Sequence, residues 1–238
     1  MMRLYAIRYA ENFKYGTYDS VYRNIEENGK RIEKFAFLYY LAEHKGKYML
    51  IDTGFRDKTL ATNMGVTLLD VEQGLLNVFG KMPQIHKVIL THSHWDHVNN
   101  LDLYQGASVV MSQATYNSIM QEGEIAVKSA LHKCSITLVD DEIWIDDIFY
   151  FRVIGGHTLD SSVIYFEVNE KNYVITGDEC YLCDNAVKNK PIGICVNAKK
   201  NEEFIDKIYR EKWIPLPFHD KKIINQYRRL SANIVQVI

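Results

Sequence analysis

The chain has 238 residues, 47% of them hydrophobic, and its formal net charge at pH 7 is −2. This length predicts a single domain over residues 1–238 with a sizeable hydrophobic core. The near-neutral charge gives no basic excess to attract nucleic acid, although a local basic patch could still exist. The absence of any apolar run of about 18 residues predicts no transmembrane helix.

Seven segments rich in Val, Ile, Tyr and Phe predict β-strands. They are residues 35–41, 48–52, 87–91, 108–111, 148–154, 162–167 and 173–176. Aromatic residues of the first segment, Phe35 among them, are predicted to be core residues. Strands that follow one another directly, together with strands that alternate with helices, favour two sheets flanked by helices in a layered α/β fold.

Helical spacing of apolar residues predicts helices over residues 70–79, 113–122 and 202–213. Ser112 and Asn201 precede the last two and are the predicted N-caps. A further helix is expected to begin near Val98.

The segment THSHWDH, residues 91–97, carries three of the eight histidines of the chain. His92 and His94 are two residues apart, so on extended backbone their imidazoles point to the same side. Asp96 and His97 follow where the chain is expected to turn, and they can face a second point nearby. Neutral imidazole and carboxylate are ligands for zinc and other first-row metals. The segment therefore predicts a metal site.

Three later residues stand in loops after predicted strands. His157 follows two glycines, Asp178 lies in the sequence TGD, and His219 follows the proline-containing stretch LPF. Each alone is more often an ordinary polar residue. Taken together in this order, they favour a site along one rim of the sheets.

These motifs resemble, in order and over most of the chain, the metallo-β-lactamase superfamily. The family pattern is H-x-H-x-D-H, then a single His, an Asp and a final His. The sequence IDTG at residues 51–54 also resembles the D-T-G motif of the family. The resemblance implies an αββα sandwich, in which two mixed sheets are flanked by helices and metals lie at the sheet edge.

The resemblance further implies two divalent ions that share one bridging carboxylate. The ligands of one ion would be His92, His94 and His157, those of the other Asp96, His97 and His219, and the bridge would be Asp178. Asp52 would lie behind these ligands and orient them, although it could also be only a turn residue. Zinc is the expected metal, with iron, manganese, cobalt and nickel as alternatives.

Among the branches of the superfamily, the N-acyl homoserine lactonases are the most similar. Their Asp-x-x-Tyr pattern matches Asp178 and Tyr181, and FHD at residues 218–220 resembles their Gly-His-Asp ending. The resemblance implies a hydrolase of a lactone or ester, such as an N-acyl homoserine lactone, through attack by a metal-bridging hydroxide. Tyr181 would bind the substrate carbonyl or oxyanion, and Asp96 would protonate the leaving group. With 16 tyrosines in the chain, Tyr181 could also be a chance match.

One departure from the lactonase pattern leaves the substrate open. Lactonases commonly continue after the third His as H-[ST]-P-G-H, whereas here TLDSS follows His157. The alternatives are a metal-dependent phosphodiesterase, a thioester hydrolase similar to glyoxalase II, and a metal-binding sensor without turnover. Class B β-lactamases, flavodiiron proteins and RNase Z-like enzymes resemble the chain less in their ligands or added segments.

The remaining expectations concern location and partners. Charged residues interrupt any apolar core near the N-terminus, which predicts no secretory signal and a cytoplasmic location. Four cysteines do not suggest a disulfide framework, and the single C-x-x-C pair, Cys180 and Cys183, is expected to be free thiols. A small-molecule substrate is expected, no membrane partner, and a homodimer is suggested by the resemblance. The tyrosine-bearing residues 15–22 could cover the site, contact a second subunit or lie on the surface.

Overall fold

Two mixed β-sheets are stacked in the computed structural model, which describes residues 2–12, 18–23 and 35–238. The first sheet begins with β1 (Met2–Asn12), β2 (Ala36–His44), β3 (Lys47–Ile51), β4 (Val66–Leu68), β5 (Ile85–Ile89), β6 (Ser108–Ser112) and β7 (Ser135–Val139). The second sheet contains β8 (Glu142–Ile145), β9 (Phe149–Val153), β10 (Ser162–Val168), β11 (Lys171–Ile175) and β12 (Ile214–Leu216). The chain then returns to the first sheet with β13 (Arg228–Arg229) and β14 (Ile234–Gln236). Residues 15–17 of the tyrosine-bearing segment lie outside the described residues.

The strand order brings several loops to one rim of the sandwich. The first sheet runs β13-β14-β1-β2-β3-β5-β6-β7, with β4 paired to β1, and the second runs β12-β11-β10-β9-β8. β3 and β5 are parallel neighbours in the first sheet, and β11 and β12 are parallel neighbours in the second. Parallel neighbours end at the same edge, where ligand sites of α/β sheets form. The loops after these four strands carry most of the predicted site residues.

Strand β2 shows why the first sheet lies inside the sandwich. Alternate side chains of this strand enter different clusters, since Leu38 and Tyr40 face the core between the two sheets while Phe37 and Tyr39 pack on the other side. A strand buried on both faces is apolar at successive positions.

Helices cover the outer faces of both sheets. The described residues form the helices α1 (Tyr18–Val21), α2 (Lys58–Met64), α3 (Glu72–Phe79), α4 (Trp95–Val98), α5 (Gln113–Glu122), α6 (Ile125–Leu131), α7 (Cys183–Val187), α8 (Ala198–Arg210) and α9 (Lys222–Gln226). Of these, α9 packs Ile223 and Ile224 into the core between the sheets. On the second sheet, Phe204 and Ile208 of α8 pack against Val163 and Val174. The predicted αββα sandwich is therefore confirmed. In the described part of the chain, no helix is both long enough and apolar enough to cross a membrane.

The helix predictions were correct in kind and partly wrong in their bounds. Helix α5 spans the predicted residues, and the Ser112 hydroxyl accepts a hydrogen bond from the Thr115 N–H at 2.9 Å, as an N-cap does. Helix α8 begins at Ala198 and its N-cap is Asn197, so the prediction of Asn201 was wrong. Asn201 is fully buried and its side chain bonds to other parts of the chain.

The expectation of a helix beginning near Val98 was also wrong. Helix α4 is a single turn that ends there, and a 3₁₀ turn follows over Leu101–Tyr104. Asp96 and His97 thus lie inside a helical turn and not before one. Each of the seven predicted strands overlaps a strand of the structure, with ends shifted by up to three residues.

Candidate metal centre

The loop after β3 places a carboxylate beneath the THSHWDH segment. Asp52 has a φ of 57°, a left-handed conformation that aspartate tolerates better than most residues. Its Oδ1 accepts a hydrogen bond from the Thr91 N–H at 2.7 Å, and its Oδ2 accepts one from the Thr91 hydroxyl at 2.6 Å. The same Oδ2 lies 2.6 Å from Nδ1 of His97. Asp52 therefore fixes both the start of the segment and one of its imidazoles.

Helix α4 directs Asp96 and His97 toward the rim. The Tyr9 hydroxyl donates to the Asp96 carbonyl at 2.6 Å, and the Thr53 hydroxyl donates to the His97 carbonyl at 3.0 Å. Both donors come from the first sheet or from the loop after β3. The backbone of the turn is thus fixed from below, while the two side chains point away from it.

We call His92, His94 and His157 the first metal group. Together with Asp178, they offer ligand atoms that all lie within 4.8 Å of one another. Nε2 of His157 lies 3.2 Å from Nδ1 of His94 and 3.5 Å from Oδ2 of Asp178. Nε2 of His92 lies 3.8 Å from the same Asp178 oxygen.

We call Asp96, His97 and His219 the second metal group, whose ligand atoms also lie within 4.8 Å of one another. Oδ1 of Asp178 lies 3.4 Å from Nε2 of His97 and 3.2 Å from Nε2 of His219. Oδ2 of Asp96 lies 3.7 Å and 3.6 Å from the same two nitrogens. Asp178 thus presents one oxygen to each metal group. The structure brings all seven predicted ligands together, and their ligand roles stay predictions.

Each of four imidazoles has a partner behind it that fixes its tautomer. The Nδ1 atoms of His97 and His219 face Oδ2 of Asp52 and the Ala36 carbonyl, the latter at 3.1 Å. Nδ1 of His157 lies 3.3 Å from the Ile194 carbonyl, and Nδ1 of His92 lies 3.1 Å from the Thr91 hydroxyl. An Nδ1–H that donates outward leaves the Nε2 lone pair directed at the centre.

The centre fits divalent cations. Within the described residues, Nε2 of His92, Nε2 of His97 and Oδ1 of Asp178 are buried and have no hydrogen-bond partner. Buried polar atoms without a partner are rare because their desolvation is not compensated. A cation in each group would satisfy them, and imidazole with carboxylate is a donor set for first-row metals.

The first metal group has no carboxylate of its own to oppose the effect of burial on the pKa values of His92 and His94. Burial lowers the pKa of His92 well below 6.5, and the nearby His97 lowers it further against the attraction of Asp178. It also lowers the pKa of His94, where His157 adds to the effect. Both imidazoles are therefore neutral in the metal-free protein at neutral pH.

Carboxylates reverse this tendency in the second metal group. Burial alone would lower the pKa of His97, but Asp96, Asp178 and Asp52 raise it well above 6.5. Burial also opposes protonation of His219, and Asp178 overcomes it and raises the pKa. Protons therefore compete with a metal ion for this group at a higher pH than for His92 and His94.

Tyr181 lies over the first metal group. Its hydroxyl is 3.2 Å from Nδ1 of His157, and its ring stacks on Phe35 with centroids 6.0 Å apart. Burial, then Asp178 and Asp96, raise the pKa of Tyr181, so the phenol stays protonated. The prediction that Phe35 lies in a strand was wrong, because Phe35 precedes β2. Its side chain is partly buried against the core on the outer side of the first sheet and lies beside His219.

A cleft of about 410 Å³ adjoins the first metal group at His94. Trp95 and Leu159 contribute apolar surface to it, and Glu122 and Glu124 contribute carboxylates. Lys and Arg are absent from the described residues that line it. The cleft is therefore acidic and partly apolar.

The sequence analysis missed two buried polar residues at this rim. Glu179 follows Asp178 in a 3₁₀ turn, and Asn201 lies in α8; both are fully buried. The one available signal was a second acidic residue directly after the predicted bridge. Nothing in the local pattern indicated that Asn201 reaches it.

The four cysteines are free. Cys180 and Cys183 are buried, and burial raises the pKa of both thiols, so neither is a reactive thiolate. The interpretation of the C-x-x-C pair as free thiols agrees with this.

Comparisons with known proteins connect this geometry to a family. The model of the metallo-beta-lactamase superfamily matches residues 38–202. No curated protein matches the chain in sequence.

Several solved structures have a similar fold. A quorum-quenching N-acyl homoserine lactone lactonase has a TM-score of 0.76 and 17% identity, with 95% of each chain covered. AiiA from B. thuringiensis, with N-decanoyl-L-homoserine at its active site, has a TM-score of 0.74 and 17% identity, covering 95% of this chain and 96% of the other. A probable metal-dependent hydrolase from Staphylococcus aureus has a TM-score of 0.76 and 15% identity, covering 92% and 90%.

Proposed function

Because this chain belongs to the metallo-β-lactamase superfamily and is a metallo-hydrolase of that family, we propose that it hydrolyses a small neutral lactone or ester at a dinuclear site. N-acyl homoserine lactones are the first candidates, because similar folds carry that activity or that product. The observation that carries the proposal is the placement of Asp178, whose two oxygens face different metal groups.

Two divalent ions, for which zinc is our expectation, would supply Lewis acidity here and lower the pKa of water toward neutrality. Asp178 would hold them at a fixed separation, since it lies between both groups. The Asp52 carboxylate orients His97, and the Ala36 carbonyl orients His219, so their Nε2 atoms need no rearrangement.

Tyr181 would bind the substrate carbonyl. Its raised pKa keeps the phenol protonated, so it can donate a hydrogen bond to the oxygen on which charge develops. The stack on Phe35 and the contact with His157 fix the ring above the first metal group. Such a donor stabilises the transition state more than the ground state.

Asp96 would pass a proton to the leaving alkoxide. It is buried, with 8% of its surface exposed, and its Oδ2 faces both imidazoles of the second metal group. As part of the metal centre, it would take up a proton released by the attacking water and pass it to the leaving oxygen. Asp96→Asn with both metals and full turnover retained would exclude this role.

The cleft beside His94 favours a neutral substrate over the anionic alternatives. Glu122 and Glu124 would repel a phosphodiester or an anionic thioester, and the described lining offers no cation to offset them. Leu159, whose surface is 69% exposed, and Trp95 can contact an acyl group. A sensor role is less favoured, because structural zinc sites are usually closed and this one adjoins a cleft.

The test is a pH-indicator assay on zinc-loaded protein with short- and long-chain N-acyl homoserine lactones. We expect acidification that the His94→Ala variant lacks. Parallel assays would use a chromogenic phosphodiester and a glutathione thioester. Turnover of only one of those would replace the lactone by that class, and two bound ions without hydrolysis of any substrate would favour a sensor.

A further inference from the structure

Glu179 connects two loops of the second sheet, the one that carries His157 and the one that carries Asp178. It directly follows Asp178 and is fully buried. Its Oε1 accepts hydrogen bonds from the backbone N–H groups of Gly156 at 2.8 Å and His157 at 2.9 Å. The Ser161 hydroxyl donates to the same oxygen in a short hydrogen bond. One carboxylate oxygen therefore binds the loop that carries His157 at three points.

The second oxygen of Glu179 is bound by Asn201. The Asn201 amide donates to Oε2 at 2.7 Å and to the Glu179 carbonyl at 3.0 Å, and its own Oδ1 accepts from the Ile192 N–H at 3.0 Å. Every partner of the Glu179 carboxylate is thus a donor, and the Asn201 side chain cannot be reversed without losing all three of its bonds.

Gly156 shows how closely the loop packs around this carboxylate. A Cβ at position 156 would overlap Oε2 of Glu179 and would lie 3.0 Å from Cα of Asn201. The glycine therefore permits the backbone to approach the buried carboxylate.

We propose that Glu179 is a positioning residue that fixes His157, and so the first metal group, through the loop of residues 155–161. This inference rests on the proposed dinuclear site. In the lactonase-like pattern a second His stands four residues after the third ligand, and here Ser161 stands there and bonds to Glu179. The pair of Glu179 and Ser161 supports the loop where the pattern has lost that His.

The second metal group is positioned independently of Glu179. Asp52 holds His97, and the Ala36 carbonyl holds His219. Nδ1 of His157 lies 3.3 Å from the Ile194 carbonyl and 3.2 Å from the Tyr181 hydroxyl, and neither partner belongs to the second metal group. A change at position 179 is therefore expected to weaken one metal equilibrium and spare the other.

The experiment measures both zinc affinities by chelator competition, and zinc content by elemental analysis. Glu179→Gln keeps the size of the side chain but places an amide N–H₂ against either the loop donors or the Asn201 amide. We expect one of two zinc affinities to fall by about 10- to 100-fold, as for other residues that orient metal ligands. The other affinity is expected to stay within about threefold. Glu203→Gln, on an exposed part of α8, is the matched control and is expected to match the unmodified protein.

Ser161→Ala provides a milder variant that removes one donor only. It is expected to weaken the same zinc equilibrium by about fivefold, which is the loss of one hydrogen bond. If Glu179→Gln does not fold, Ser161→Ala decides the question. Two unchanged zinc affinities in Ser161→Ala would then overturn the inference.

A folded Glu179→Gln variant with both zinc affinities unchanged overturns the inference, even if its metal-free form melts at a lower temperature. That result would assign Glu179 to folding alone. Failure of the dinuclear proposal looks different, because the unmodified protein would then bind fewer than two zinc ions.

Discussion

The first and second metal groups share Asp178 but differ in the charges that surround them. The second group contains one carboxylate, Asp96, and has another, Asp52, directly behind His97. The first group consists of three imidazoles with no carboxylate of its own. As a consequence, the pKa values of His97 and His219 are raised, whereas that of His92 is lowered.

This difference determines how the buried charges of the site are balanced when no metal is bound. Protons on His97 and His219 offset part of the negative charge of the carboxylates around them in the metal-free protein. Metal binding at the second group must displace those protons, while binding at the first group meets neutral imidazoles. The two groups are therefore expected to load differently.

Removal of Asp178 should affect both metal groups, because Asp178 is the residue that they share. Asp178→Ala is expected to weaken both metal equilibria and to lower kcat/KM by about 1,000-fold or more, since positioning and charge stabilisation are lost together. Zinc content and the lactone assay would measure this. A variant with two ions and normal turnover would exclude the bridging role.

Lower pH should separate the two groups. The pKa values of His97 and His219 are raised above 6.5 in the metal-free protein, so protons compete for the second group as pH falls from above that value. The lowered pKa values of His92 and His94 mean that protons compete there only at lower pH. We expect one affinity to fall by about tenfold per pH unit for each proton displaced. Zinc titrations between pH 8 and 5.5 would show one zinc affinity falling at a higher pH than the other. A joint fall of both affinities would contradict the difference in charge between the two groups.

Asp52→Asn should affect the second group more than the first, because Asp52 contacts His97 directly and reaches His92 only through Thr91. The amide can still accept from Nδ1–H of His97, but it carries no charge to hold the pKa of that imidazole up. We expect the second group to bind zinc about 10- to 100-fold more weakly, as for other residues that orient metal ligands. The zinc affinity of this group should also depend less on pH. Chelator competition on this variant and on Glu179→Gln would show complementary losses. Weakening of the same zinc affinity in both variants would contradict the assignment of one supporting carboxylate to each group.

Tyr181→Phe should give the smallest of these effects. It removes the phenol that contacts His157 but no metal donor. We expect kcat/KM to fall by about tenfold, with both ions retained, because one hydrogen bond to the oxyanion is lost. Steady-state kinetics with zinc content as the control would measure it. Unchanged kinetics would indicate that Tyr181 matches the lactonase pattern by chance.

The secondary structure was predictable where one local pattern decided it. Helix α5 has a capping serine and helical spacing, and the structure agrees with both. Strand β1 was missed although it has 11 residues, because it is an inner strand with most positions buried on both faces and lacks a clear alternation. Strands of two or three residues, such as β12 and β13, contain too few positions for any pattern.

The sequence by itself determined that four candidate metal ligands lie close together. His92, His94, Asp96 and His97 lie within six residues, so covalent geometry keeps them together in any fold that exposes the segment. The resemblance then indicated the remaining predicted ligands and the layered fold, and the structure and the family match bear out the fold.

Only the tertiary structure decided how the donors divide and what supports them. His157, Asp178 and His219 meet the segment because β9, β11 and β12 run in the same direction and end at the rim where β3 and β5 end. Glu179 and Asn201 come together across 22 residues of chain through a buried hydrogen bond. Strand pairing and packing set such distances, and spacing along the chain does not encode them.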